Sequence, residues 1–210
     1  MAEISDKTIA RLSLYRRLLS DLLEDGQTQV RSHELATLAN GSPAQVRRDL
    51  AEAVGCQGRP RQGYDVAGLF ESIGAVLDGP SGENVALVGV GNLGRAVLAY
   101  LAGRRPGVNL KAAFDSDPAK VGQSWMGCPC HPDAAIPRVI REQSIRVAIL
   151  AIPAASAQAV AEQLMDAGVT GLMNFAPVRL RARPGVFVEN IDIAISLEKT
   201  AYFARQAAES

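Results

Sequence analysis

No stretch of eighteen consecutive apolar residues occurs in this 210-residue chain, so no part of it reads as a membrane-spanning helix. A charged-then-apolar leader is also missing. The start, MAEISDKTIARLSLYRRLLSDLLEDG, reads instead as an amphipathic helix, and the expectation is a soluble, cytoplasmic protein. Cysteine is scarce: three residues, two of them in Cys128-Pro129-Cys130, do not make a secreted disulfide framework. Charge of either sign is not in excess, with 22 basic and 22 acidic side chains, so overall electrostatics imply no polyanionic partner. There is no internal repeat and no low-complexity tract. The length suits one large or two small domains.

Against these absences stands Asn84–Gly94, reading NVALVGVGNLG. The β-branched run Val85-Ala86-Leu87-Val88 feeds into Gly89-Val90-Gly91-Asn92-Leu93-Gly94, and the helix-forming stretch Arg95–Leu101 follows at once. Glycines at this spacing permit a tight strand-to-helix turn and let a pyrophosphate approach the backbone. The bare N–H groups and positive end of the next helix then hold that anion. Asp115 ends the next apolar strand, Leu110–Phe114, about twenty residues on, where a carboxylate accepts hydrogen bonds from a ribose. The pattern predicts a dinucleotide site; a glycine-rich turn in an α/β core is the plain alternative. A carboxylate at Asp115 repels a 2′-phosphate and favours NAD(H) over NADP(H). Arg104-Arg105, at the far end of the helix, read as solvated.

Residues 1–78 look all-helical with one loop, whereas residues 84–191 alternate strand and helix. The turn-rich Leu77-Asp78-Gly79-Pro80-Ser81-Gly82 separates them, giving a domain at 1–78, a linker at 79–83, a second domain at 84–191 and a terminal segment at 192–210. The spacing of Ile9, Leu12, Leu14, Leu18, Leu19, Leu22 and Leu23 predicts a first helix over about Ser5–Glu24. Ser32 can cap a short helix, His33–Ala39, before an Asn40-Gly41 turn. Ser42-Pro43-Ala44-Gln45 then starts another, with Ser at the cap, Pro at the first position and Gln in capping-box register. Gln45, Arg47, Arg48 and Asp49 ride on this helix, and Val46 and Leu50 face a core. That is helix-turn-helix grammar. The loop Gly55–Tyr64 reads as a wing, and a last helix at about Val66–Leu77 closes the domain.

Residues 1–78 carry nine basic and eleven acidic side chains, yet residues 42–64 carry Arg47, Arg48, Arg59 and Arg61 against Asp49 and Glu52. Positive charge is thus local to the predicted recognition helix and wing, where phosphates would sit. Ser42, Gln45, Arg47 and Arg48 on the helix, with Arg59, Arg61 and Gly63 in the wing, are the candidate DNA contacts. A helical interaction module with a solvated arginine face is the alternative.

Taken in order, several segments resemble the Rex family of redox-sensing bacterial transcriptional repressors over nearly the whole chain. They are Thr8-Ile9-Ala10-Arg11-Leu12, Gln45-Val46-Arg47-Arg48-Asp49-Leu50, the glycine loop, Phe114–Gly122 and Asn174-Phe175-Ala176-Pro177-Val178. The resemblance implies an N-terminal winged helix and a C-terminal doubly wound Rossmann domain with a mainly parallel sheet. It also implies a homodimer in which a final helix, about Ser196–Gln206, crosses to the partner subunit. The family binds operator DNA when the NADH/NAD⁺ ratio is low and releases it when NADH binds. The open dimer is expected to set its recognition helices about one helical turn apart on a palindromic site. One departure concerns the wing. Glu52-Ala53-Val54-Gly55 stands where the family has an aromatic pair and a glycine, and Pro60-Arg61-Gln62-Gly63-Tyr64 places Arg61 where a glycine is expected.

NADH and NAD⁺ share their adenosine and pyrophosphate, so Gly89–Gly94 and Asp115 cannot tell them apart. Discrimination must come from the nicotinamide, whose oxidised, cationic form a dry apolar pocket penalises. The candidate walls are Ile152-Pro153-Ala154, after the strand Val147–Ala151, and Asn174-Phe175, after Gly171–Met173; ordinary turn chemistry accounts for both equally well. Arg17 and Asp192 match family positions expected to pair across the switch, and Tyr100 is a candidate reporter of closure. A solvated charge and a core tyrosine are the plain readings of Arg17 and Tyr100. Three other functions compete. A small NAD-dependent dehydrogenase needs an acid–base residue at the nicotinamide, but the chain has only His33 and His131 and no Tyr-x-x-x-Lys arrangement. A coenzyme A-binding Rossmann module shares the glycine loop but not the winged helix. A metal or thiol sensor at Cys128-Pro129-Cys130-His131 lacks a nearby fourth ligand, so this segment reads as strand or loop. Cys56, inside the wing, is a further candidate for oxidation.

Overall fold

Ser5 accepts a hydrogen bond from the Thr8 N–H and opens helix α1, Asp6–Glu24, which buries Leu12, Tyr15, Arg16, Leu19 and Leu22 along one stripe. These residues pack on Val66, Leu69 and Ile73 of α4, Val66–Leu77. The computed structural model describes residues 4–79, 82–102 and 107–208, and the chain divides into two units, Met1–Ser81 and Gly82–Ser210. Pro80 and Ser81 of the expected linker, and Arg104 and Arg105, lie outside the described residues.

Four expectations in the first unit are corrected. Helix α2, Ser32–Leu38, starts one residue early: Ser32 is already helical and Arg31 is the cap, its N–H closed from within by Glu34 Oε2 at 2.6 Å. Helix α3, Pro43–Asp49, does start at Ser42, whose hydroxyl accepts from the Gln45 N–H. The Gln45 side chain, however, does not turn back to complete a capping box; its amide donates forward to Asp49 Oδ1 at 2.8 Å. Asp49 itself is 3% exposed and not on the solvent face, because a cationic partner from α1 holds it inside. The unit is not all-helical either. Strands β1, Gln29–Val30, and β2, Tyr64–Asp65, pair antiparallel, and an Arg59–Gly63 bridge extends β2 into a small hairpin. Gly63, at φ +85°, is obligatory there because a Cβ would run into the Val30 carbonyl.

The second unit holds a seven-stranded sheet in the order β5-β6-β4-β3-β7-β8-β9. The strands are β3, Glu83–Val88; β4, Val108–Asp115; β5, Ser124–Trp125; β6, Cys128–Pro132; β7, Val147–Leu150; β8, Gly171–Asn174; and β9, Phe187–Asn190. All neighbours are parallel except the edge pair β5/β6. The chain builds outward from β3 through β4 and β6, then returns to β3's other side for β7, β8 and β9. This is the doubly wound order, with its switch point between β3 and β7.

Period-two alternation distributes each strand between two cores. Ala86 and Val88 face α6, Ile136–Glu142, and α7, Ala154–Ala167; Val85 and Leu87 share a cluster with Leu98 of α5, Asn92–Leu101. The Cys-Pro-Cys-His segment is a strand by the same rule. Cys128 and Cys130 are buried in the second cluster, while His131 turns toward Phe114 of the first, with ring centroids 5.9 Å apart. Helix α8, Ile193–Ala208, starts three residues before the expected Ser196. It leaves Ile193, Ile195, Leu197, Tyr202 and Phe203 exposed.

Candidate dinucleotide crevice and nucleic-acid interface

Each glycine of the Gly89–Gly94 loop meets a different constraint. Gly89, at φ +94°, turns the chain off β3 where a Cβ would strike the Ala151 carbonyl and Ile152. Gly94, in the first turn of α5, lies against the Gly89 carbonyl oxygen, which a Cβ would overlap. Gly91 caps α5 with open space around it, as an approaching phosphate needs. Asn92 holds the Arg95 guanidinium at 2.8 Å, and Leu93 is exposed beside it. Val90 is fully buried, and its N–H donates to Asp115 Oδ2 at 2.8 Å.

Asp115 therefore braces the loop as well as standing at the end of β4. Its Oδ2 also accepts from Lys120 Nζ at 3.0 Å, and its Oδ1 from the Asp117 N–H at 2.9 Å. Burial pushes this carboxyl up, but the Asp117 N–H, Lys120 and the Val90 N–H outweigh it and hold the group below the usual carboxylate range. Asp115 is an anion at neutral pH.

Parallel register brings the other predicted residues to the same edge. Val88 aligns with Phe114 on one side and Leu150 on the other, and Leu150 aligns with Asn174. The glycine loop, Asp115, Ile152-Pro153 and Asn174-Phe175 thus all follow the carboxyl ends of β3, β4, β7 and β8. Pro153 caps α7. Phe175 is partly buried in the α5-side cluster. Asn174 is 1% exposed and its amide is spent internally, on the Val178 carbonyl at 2.7 Å, Asn190 Oδ1 at 2.9 Å and the Ala176 N–H at 3.0 Å. Its geometry is that of a brace for the Ala176–Val178 turn.

In the first unit, Arg47 and Arg48 are exposed on α3, and Arg59 and Arg61 are exposed in the hairpin. A surface hollow brings Arg47, Arg59, Arg61, Gly63 and Tyr64 together with Arg31 and Ser32, and Arg47 Nη1 donates to Ser32 Oγ at 3.1 Å. Arg61 occupies the left-handed region at φ +66°, which accounts for the glycine expected in its place. Ser42 and Gln45 are committed to the cap and to Asp49. Among the expected switch residues, Arg17 is exposed on α1, Tyr100 is exposed on α5, and Asp192 accepts from the Ile195 N–H at the start of α8.

The residues that position α3 escaped the sequence reading. Arg11 grips Asp49 with two hydrogen bonds, 2.6 and 2.7 Å, and the buried Tyr15 hydroxyl adds a third at 3.1 Å. Burial raises the Asp49 carboxyl, but Arg11, Gln45 and Tyr15 more than offset it and bring it below the ordinary value. Burial and the Asp49 charge push Tyr15 up to about 12. Thr8–Leu12 and Gln45–Leu50 both stood out in the sequence, but nothing in it joined them.

Residues 81–178 match the family described as CoA binding domain, and residues 3–51 the family described as putative DNA-binding protein N-terminus. The redox-sensing transcriptional repressor Rex of Rhodopirellula baltica is 42% identical over 201 residues, covering 96% of this chain and 84% of that protein. The Rex protein of Chloroflexus aurantiacus is 41% identical over 202 residues, covering 96% and 95%. Among solved structures, RSP in complex with β-NAD⁺ and operator DNA is similar at a TM-score of 0.89 and 29% identity, covering 99% of this chain and 95% of that one. RSP in complex with β-NADH gives a TM-score of 0.86 at 28% identity, covering 99% and 97%.

Proposed function

The chain belongs to the Rex family of redox-sensing transcriptional repressors, and we propose that it reads the NADH/NAD⁺ ratio through the β3–β8 strand-end crevice and reports it through α3 and the Arg59–Gly63 hairpin. The observation that carries this reading is the common edge at which Gly89–Gly94, Asp115, Ile152-Pro153 and Phe175 converge, in a chain that matches repressors along 96% of its length. It is a regulator and not an enzyme, as its relatives are named. The CoA-binding likeness covers only residues 81–178 and concerns the loop that such domains share. Asp115 beneath that loop and the repressor relatives along the whole chain favour NAD(H).

In this reading Gly89–Gly94 and the start of α5 hold the pyrophosphate, and Asp115 receives the adenosine ribose. Ile152, Pro153 and Phe175 form the dry wall that rejects the cationic nicotinamide of NAD⁺, while Asn174 positions the turn behind them. Arg47, Arg48, Arg59 and Arg61 meet DNA phosphates and bases, with Ser42, Gln45 and Gly63 shaping the elements that carry them. The exposed apolar side chains of α8 fit exchange with a second copy in a homodimer, which a palindromic operator requires. Arg17 and Asp192 pair as that dimer changes state, and Tyr100 reports on closure. No helix among the described residues is long and apolar enough to cross a membrane, and a repressor meets its operator in the cytoplasm.

The test is binding to a palindromic operator duplex, followed by fluorescence anisotropy during separate titrations with NADH, NAD⁺ and NADPH. Release by micromolar NADH, with little effect of NAD⁺, is expected. Tight NADH binding without any DNA binding would refute the repressor reading and leave the crevice intact.

A further inference from the structure

A bare carboxylate at the end of β4 would repel a 2′-phosphate outright, but Asp115 is not bare. A carboxylate offers about four acceptor positions, and three of Asp115's are taken by the Val90 N–H, the Asp117 N–H and the Lys120 ammonium. The two N–H groups are backbone and fixed. Lys120 is the one side-chain donor of the three: it sits five residues on, with its side chain 31% exposed, and reaches Asp115 at 3.0 Å and Asp117 at 3.7 Å. Among the described residues this leaves one acceptor position open, so two ribose hydroxyls arriving at Asp115 can gain a second only by displacing Lys120. The displaced ammonium would still be tethered five residues from Asp115. Arg95, fixed to Asn92 on the first turn of α5, adds a cation close enough for its charge to act on Lys120.

We propose that Lys120 is a specificity-determining residue of the dinucleotide site, occupying the ribose position on Asp115 when the site is empty and offsetting Asp115's repulsion of a 2′-phosphate when it is filled. This rests on the assignment of Gly89–Gly94 and Asp115 to NAD(H). It makes the preference for NADH over NADPH a graded one, set by the balance of Asp115 and Asp117 against Lys120. Deleting the lysine charge sharpens that preference without any new contact to NADH.

The experiment is a pair of affinities, NADH by its own fluorescence and NADPH by competition against it, for the wild type, Lys120→Gln and Lys120→Arg. In Lys120→Gln, NADPH binding is expected to weaken on the order of tenfold while NADH changes less than about threefold, and Lys120→Arg restores the wild-type ratio. High salt should narrow the difference between wild type and Lys120→Gln, because the contact is ionic and partly exposed. Equal weakening of both nucleotides would mean that Lys120 merely braces Asp115, and overturns the proposal. So does a wild type that binds NADH but no NADPH at millimolar concentration, since Lys120 then offsets nothing. A wild type that binds no NADH overturns the site assignment itself, a different failure.

Discussion

Substituting Asp49 with alanine cuts the tie between α1 and the arginine-bearing α3, and its cost can be worked from the contacts. Removing one member of a fully buried ion pair costs about 3–5 kcal/mol. Arg11 is 32% exposed and keeps its bond to Thr8 Oγ1, so water can take over part of its charge and the loss falls to about 2 kcal/mol. The Tyr15 hydroxyl, buried and without its acceptor, adds about 1 kcal/mol. A total of about 3 kcal/mol is a large share of the stability of a unit this small. Urea unfolding followed by circular dichroism should show it, and operator affinity should fall because α3 loses its anchor. The single tryptophan, Trp125, lies in β5 of the other unit, so its fluorescence transition and NADH binding should move little. Arg11→Ala strands a more deeply buried charge and should cost more, while the double variant recovers part of that loss. The Asp49 carboxyl is lowered on folding, so its stabilisation is complete above the ordinary carboxylate value, about 4, and drains away as pH falls through the depressed one. Asp49→Asn should flatten that acid limb. A loss below about 1 kcal/mol in Asp49→Ala, or an equal shift of the Trp125 transition, would refute the reasoning.

Three further outcomes follow from single positions. Gly94→Ala sets a methyl group against the Gly89 carbonyl, so α5 must back away from β3; NADH affinity should drop at least about tenfold in calorimetry while operator binding persists. Arg61→Gly relieves a left-handed residue at φ +66° and should stabilise the hairpin by up to about 1 kcal/mol, yet weaken DNA binding and lower the salt-dependence slope by about one unit if Arg61 touches a phosphate. Burial pushes the Cys128 thiol up to about 11 and raises Cys130 as well, so neither is a thiolate at pH 8. Maleimide on the native protein should therefore label the partly exposed Cys56 alone, and two or more adducts by mass spectrometry would contradict the burial of β6.

What the chain shows by itself is what short-range chemistry dictates. Ser42-Pro43 starts α3, and the Val85–Val88 run followed by three spaced glycines makes a strand–turn–helix, because caps and turns are decided within a few residues. Cys128-Pro129-Cys130-His131 read as strand or loop, and pairing with β4 and β5 made it a strand. Those pieces were enough to read an alternating strand–helix domain behind a helix-turn-helix, while the doubly wound order came only with the resemblance to the Rex family. Where each polar group spends its hydrogen bonds was decided only in three dimensions. Asp49 looked like a surface residue until α1 brought Arg11, 38 positions away, and Tyr15, 34 away, to it. Asn174 read equally as ligand wall and as ordinary turn, and the sequence did not show that the Asn190 side chain, 16 positions on, takes its amide. Asp115 was legible as an acid at the right distance from the glycines, but its bond to the Val90 N–H depends on β4 lying beside β3. A buried polar group must find partners wherever packing delivers them, and sequence spacing carries no record of which distant partner that is.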